Sequence, residues 1–163
     1  MVLGNIGYIP PMTSSFTSDS ACLWGSSKMA LLIGHRIHTH GLGYWVSGYR
    51  YRDGYWKPIA AGRPQDPEDV IPTKSVTLLR EGDALTARCY YQNTRPYRVN
   101  FGPNYGDEMC NLHLIYMFPF GSDPGLRFQT CAKNAQDFHL SDYFHFIPND
   151  KVPRPTTDDD SRY

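Results

Sequence analysis

Apolar residues in this chain fall in short alternating runs, each closed within a few positions by Gly, Pro, Asn or Asp. A strand sends successive side chains to opposite faces, so alternation of this kind predicts half-buried strands. From Ala30 to Thr39 it places Leu31, Ile33, Ile37 and Thr39 on one face and Gly34, Arg36, His38 and His40 on the other. The first face suits a core, and His35 shares it. The second carries a guanidinium and two imidazoles. Trp45–Tyr51 and a run from Tyr55 flank Asp53-Gly54, the signal of a type I′ hairpin. Val76–Leu79 and Leu85–Tyr91 read as strands around the turn Glu81-Gly82-Asp83, Leu112–Phe118 as a strongly apolar strand, and Leu126–Cys131 as a shorter one. Residues 10–20, 58–72 and 93–106 read as loops, and Asp137–Phe146 is ambiguous between a helical turn and a strand. The expected architecture is all-β, an antiparallel sandwich of jelly-roll type. One domain spans residues 1–150, and the polar residues 151–163 form a solvated, disordered tail.

Composition agrees with strands and tight turns. Twelve Tyr, eight Phe and three Trp accompany 14 Gly and 13 Pro. The formal net charge is zero, which leaves no electrostatic footprint for nucleic acid or an anionic membrane. The longest apolar run, Met29–Ile33, falls far short of the ~20 residues of a membrane-spanning helix. No apolar leader follows Met1-Val2-Leu3. The four cysteines, Cys22, Cys89, Cys110 and Cys131, include no CxxC pair, which argues against zinc and for two disulfides. Spacing leaves all three pairings open. Disulfides point to the secretory lumen or the extracellular space, so a chain without a leader is expected to be a fragment.

The His38-Thr39-His40 pair alone is weak evidence for a metal, since exposed strand faces carry histidines by chance. A third donor lies downstream. Alternation through Asp107–Tyr116 groups Met109 with Asn111, His113 and Ile115, against Cys110, Leu112, Leu114 and Tyr116. A thioether prefers Cu(I) and imidazole accepts both copper states, so two His and one Met would make an open copper site. Taken singly, Met109 reads as a core methionine and Glu108 as a solvated acidic turn or an alternative oxygen ligand.

The segments His38-Thr39-His40-Gly41-Leu42-Gly43, Val46-Ser47-Gly48-Tyr49-Arg50, Leu85-Thr86-Ala87-Arg88-Cys89, Asp107-Glu108-Met109-Cys110-Asn111-Leu112 and Thr130-Cys131-Ala132-Lys133-Asn134 together resemble the copper type II, ascorbate-dependent monooxygenases, over roughly Cys22–Pro148. The resemblance implies the family's C-terminal β-sandwich domain, with one copper per chain on His38, His40 and Met109. It also implies the disulfides Cys22–Cys131 and Cys89–Cys110. Arg36 falls at a position that grips a peptide's terminal carboxylate, which suits a planar fork, and Asn111 and His113 fall at substrate-contact positions. The implied reaction hydroxylates the α-carbon of a C-terminal glycine, the first step of peptide amidation, with O₂ as co-substrate and ascorbate as electron donor. The implied partners are a glycine-extended peptide and an N-terminal copper domain of the same enzyme, without which this chain would turn over poorly. An amine β-hydroxylase, or a copper-binding sandwich without catalysis, are the alternatives. The chain departs from the family where His113 replaces Tyr, Ile115 replaces Met and Gly41 replaces a non-ligand His.

Overall fold

The computed structural model describes residues 1–67, 69–121 and 129–148, with Lys74 by its backbone alone. Its strands are β1 (Val2–Ile6), β2 (Tyr8–Ile9), β3 (Thr13–Leu23), β4 (Ala30–His38), β5 (Gly43–Arg52), β6 (Tyr55–Gly62), β7 (Ile71–Leu79), β8 (Ala84–Asn93), β9 (Val99–Asn100), β10 (Asn111–Met117) and β11 (Thr130–Asn134). A five-stranded sheet runs β11-β1-β10-β4-β7 and a four-stranded sheet runs β3-β8-β5-β6, while β2 and β9 form a small ribbon. Pairing is antiparallel except for β1 with β11 at one edge. The fold is the expected all-β sandwich.

Leu3, Leu32, Ile37, Leu112 and Leu114 of the larger sheet pack against Val46, Ala60, Leu85, Ala87 and Tyr91 of the smaller one, all buried. The layers approach closely at Gly48, where a Cβ would run into the Leu112 side chain. Both disulfides join the two layers. Cys22 of β3 bonds Cys131 of β11, and Cys89 of β8 bonds Cys110 just before β10. At Asp53 and Gly54 φ is positive at both residues, as a type I′ turn requires, and Arg52 pairs with Tyr55 across it.

The sequence reading needs correction in four places. Residues 10–20 are not a loop throughout, because β3 begins at Thr13 and pairs along β8. Its inward positions are filled by Ser18 and Ser20, and Asp19 is buried against Arg88, so a strand forms with no apolar alternation. β6 runs through Pro58 to Gly62, which is tolerable because β6 is a sheet edge and the register shifts beside Pro58. β7 likewise starts at Ile71, inside the expected loop, and the short β9 lies within the loop expected at 93–106. Finally, Leu31 and Ile33 are 37% and 43% exposed, while Ala30 and Leu32 are buried. A bulge inserts Ile33 between Leu32 and Gly34, so the faces exchange upstream of it; His35, Ile37 and Thr39 stay inward. Of the expected strand Leu126–Cys131, residues 126–128 lie outside the described residues, and β11 continues to Asn134. Asp137–Phe146 contains one 3₁₀ turn, Leu140–Asp142. The proposed tail, 151–163, lies outside the described residues.

Candidate metal centre

β4 and β10 lie side by side, with His38 opposite Asn111 and Arg36 opposite His113. Cross-strand partners share a face, and the inward residues between them (His35, Ile37, Leu112, Leu114) are buried. The outward face therefore gathers Arg36, His38, Asn111 and His113, all half-buried, at one end of the open sheet. His40 and Met109 extend this arrangement just past the ladder. The His38 and His40 rings stand 5.3 Å apart, centre to centre, at an interplanar angle of 83°.

The two segments beyond the ladder are held together by Glu108. Its carboxylate is 2% exposed, and its Oε2 accepts the backbone N–H of His40 at 2.9 Å and of Met109 at 3.3 Å. Oε1 accepts the N–H of Leu42 at 2.7 Å. The Asp107 carbonyl lies 2.7 Å from His40 Nδ1. A carbonyl can only accept, so Nδ1 carries the proton and Nε2 keeps its lone pair for a ligand. Gln65 donates to the carbonyls of His40, at 2.7 Å, and Gly43, at 3.0 Å. The Tyr91 hydroxyl donates to the Met109 carbonyl at 2.6 Å. Burial, reinforced by the Glu108 charge, pushes that phenol well above its usual range, so it remains a donor. The Asn111 side-chain amide donates to Met109 Sδ at 3.4 Å. The Cys89–Cys110 disulfide anchors the residue between Met109 and Asn111 to β8.

Glu108 is thus not a solvated turn residue: it is buried, and backbone donors from both segments meet its two oxygens. Sequence reasoning missed this role, and those of Tyr91 and Gln65. The one available signal was an acidic residue two positions before a disulfide cysteine. Among the described residues no three His, Cys, Asp or Glu side chains form a metal-holding group. A thioether lies outside that set, and a donor set of two imidazoles with one soft, neutral sulfur suits Cu(I). The donor set fits copper. Gly41 faces open space, so a side chain could stand there without a clash. His35 is buried in the core away from this face, with neither ring nitrogen hydrogen-bonded.

A disulfide-stapled β-sandwich with a histidine pair on an open sheet face defines the class of domain. Within that class the chain belongs to a copper monooxygenase family: residues 1–144 match the copper type II ascorbate-dependent monooxygenase, C-terminal domain. It is similar to the peptidylglycine alpha-amidating monooxygenase of Rattus norvegicus, 35% identical over 153 residues, and to that of Mus musculus at 34%, each alignment covering 93% of this chain and 15% of the relative. Peptidyl-glycine alpha-amidating monooxygenase A of Xenopus laevis is 31% identical over 93% of this chain and 16% of its own length. The chain spans about one-sixth of the curated relatives it matches.

Proposed function

We propose that this chain is the copper-carrying C-terminal domain of a monooxygenase that hydroxylates the α-carbon of a C-terminal glycine in peptides. The observation that carries the reading is the β4–β10 pairing, in which Arg36 and His38 stand opposite His113 and Asn111, with His40 and Met109 following just past the ladder. His38, His40 and Met109 would hold one copper. When bound there, copper supplies one-electron redox chemistry and a site for dioxygen.

The chain's own residues bind and orient. Arg36 offers a planar fork for the peptide's terminal carboxylate, with Asn111 and His113 beside it as further hydrogen-bonding groups. Holding the carboxylate at Arg36 brings the adjacent glycine carbon toward the ligand end of the strand, which is the positioning this reaction needs. The proton on His40 Nδ1 fixes that ring's tautomer. The two electrons that the hydroxylation consumes would come from ascorbate, one of them by way of an N-terminal copper domain of the same enzyme. The match to a C-terminal domain model and the small share of the relatives' length support that division. The two disulfides fit an oxidising compartment, the secretory lumen or the extracellular space. No helix among the described residues is long and apolar enough to cross a membrane.

Binding of an N-acylated, glycine-extended peptide to the copper-loaded chain tests this reading. Arg36→Ala should weaken it at least tenfold, because a charge-assisted bidentate contact contributes about 1.5–3 kcal/mol. Phenethylamine binding that exceeds peptide binding and ignores Arg36 would favour an amine β-hydroxylase instead. Copper uptake with no ligand binding would leave a copper-binding sandwich without catalysis.

A further inference from the structure

The Glu108 carboxylate is buried yet meets only backbone N–H donors among the described residues, and those donors come from both segments that carry His40 and Met109. We propose that Glu108 is the positioning residue of the copper site: it sets the Met109 thioether against the two imidazoles by clasping the His40–Leu42 turn to the Met109 backbone. The inference rests on the copper reading above.

The three donors are not held alike. His38 closes the β4 ladder opposite Asn111, so main-chain pairing fixes it independently of Glu108. His40 has further restraints in the Asp107 carbonyl at its ring and Gln65 at its own carbonyl. Met109 precedes the ladder. Its N–H goes to Glu108 and its carbonyl to Tyr91, so removing the carboxylate frees one side of its peptide frame. One oxygen, Oε2, serves both His40 and Met109, and this shared acceptor sets their separation. An amide cannot serve all three donors. Its one oxygen either takes the Oε2 place and turns its NH₂ on the Leu42 N–H, or takes the Oε1 place and turns it on those of His40 and Met109.

The test is the ligand set of Cu(I) in the intact chain, read anaerobically by X-ray absorption, with stability measured separately. In Glu108→Gln the sulfur contribution should fall away while two nitrogen donors remain, and the Cu(I) dissociation constant should rise at least tenfold. Glu108→Asp keeps the charge but is one methylene too short to span the three donors, so it should lose part of the sulfur signal. A merely structural role would lower the melting temperature and leave the ligand set of the folded protein intact. A folded Glu108→Gln with the full wild-type nitrogen and sulfur set overturns the proposal. If that variant fails to fold, Glu108→Asp decides by the same reading. A wild-type chain with no sulfur donor would instead be a failure of the copper reading itself.

Discussion

Two buried carboxylates, Asp83 and Glu108, each clasp a turn, and they do so by different means. Asp83, fully buried at the β7–β8 turn, accepts from Arg52 Nη2 at 2.6 Å and from the Arg80 N–H at 2.9 Å. Asp19 repeats the pattern inside the smaller sheet, with Arg88 on both oxygens and the Leu140 N–H at 2.9 Å. Glu108 has three backbone donors and no arginine among the described residues. Arginine closes a turn and neutralises it in one step, which serves the fold. Backbone donors hold the Glu108 carboxylate without an arginine and tie together the two segments that carry His40 and Met109. The same side-chain chemistry thus serves stability in one region and the candidate site in the other.

The comparison breaks most visibly at the covalent staples. Replacing Cys22 and Cys131 by Ala removes a crosslink of sequence separation 109 and should cost about 5 kcal/mol, against about 3 kcal/mol for the Cys89–Cys110 pair with its separation of 21. Chemical denaturation checks the order. Only the second pair should also disturb Cu(I) ligation, since it anchors the residue beside Met109.

Next in size is Asp83→Ala. Removing the partner of a largely buried arginine should cost about 3 kcal/mol in thermal unfolding, with Cu(I) binding by the folded fraction unchanged. Altered copper binding there would mean that the two clasps are not independent.

Acid should separate two groups in sequence. Burial pushes His35 below its ordinary value, so it is neutral when folded. Its share of stability is complete above the unfolded value near 6.5 and is lost as pH falls toward the lowered one. Burial pushes Asp83 up, but the Arg52 hydrogen bonds, the Arg80 N–H and the neighbouring Arg52 and Arg50 charges outweigh it, and its carboxyl lies below the usual range. That contribution holds above pH ~4 and fades as pH falls through the lowered value. Melting temperature should therefore decline first as pH falls below about 6.5, then again below pH ~4. His35→Phe should flatten the first decline and Asp83→Asn the second; a His35→Phe chain with the full first decline would contradict the assignment.

The smallest effect expected is at Asn111. Its amide lends one weak hydrogen bond to Met109 Sδ, so Asn111→Ala should weaken Cu(I) binding roughly threefold and move stability by less than about 0.5 kcal/mol.

The parts legible in the sequence are those governed by local alternation. The outward set Arg36, His38, Asn111 and His113 followed from period two, and Asp53-Gly54 identified its turn because both positions need positive φ. What escaped depended on partners far along the chain. β3 is a strand because the β8 ladder takes up its backbone and Arg88 meets Asp19, which its own Ser and Thr pattern cannot reveal. The Ile33 bulge comes from registers with β7 and β10, and it exchanged the faces of Leu31 and Leu32. Glu108 looked solvated because its donors at His40 and Leu42 are 68 and 66 residues away.

Anaerobic Cu(I) X-ray absorption on the disulfide-intact chain tests whether two imidazoles and one thioether hold a copper. The wild type should take up one copper with two nitrogen donors and one sulfur, and Met109→Ala should lose the sulfur while keeping its fold. A wild-type copper without sulfur, or a sulfur donor that survives in Met109→Ala, would contradict that ligand set.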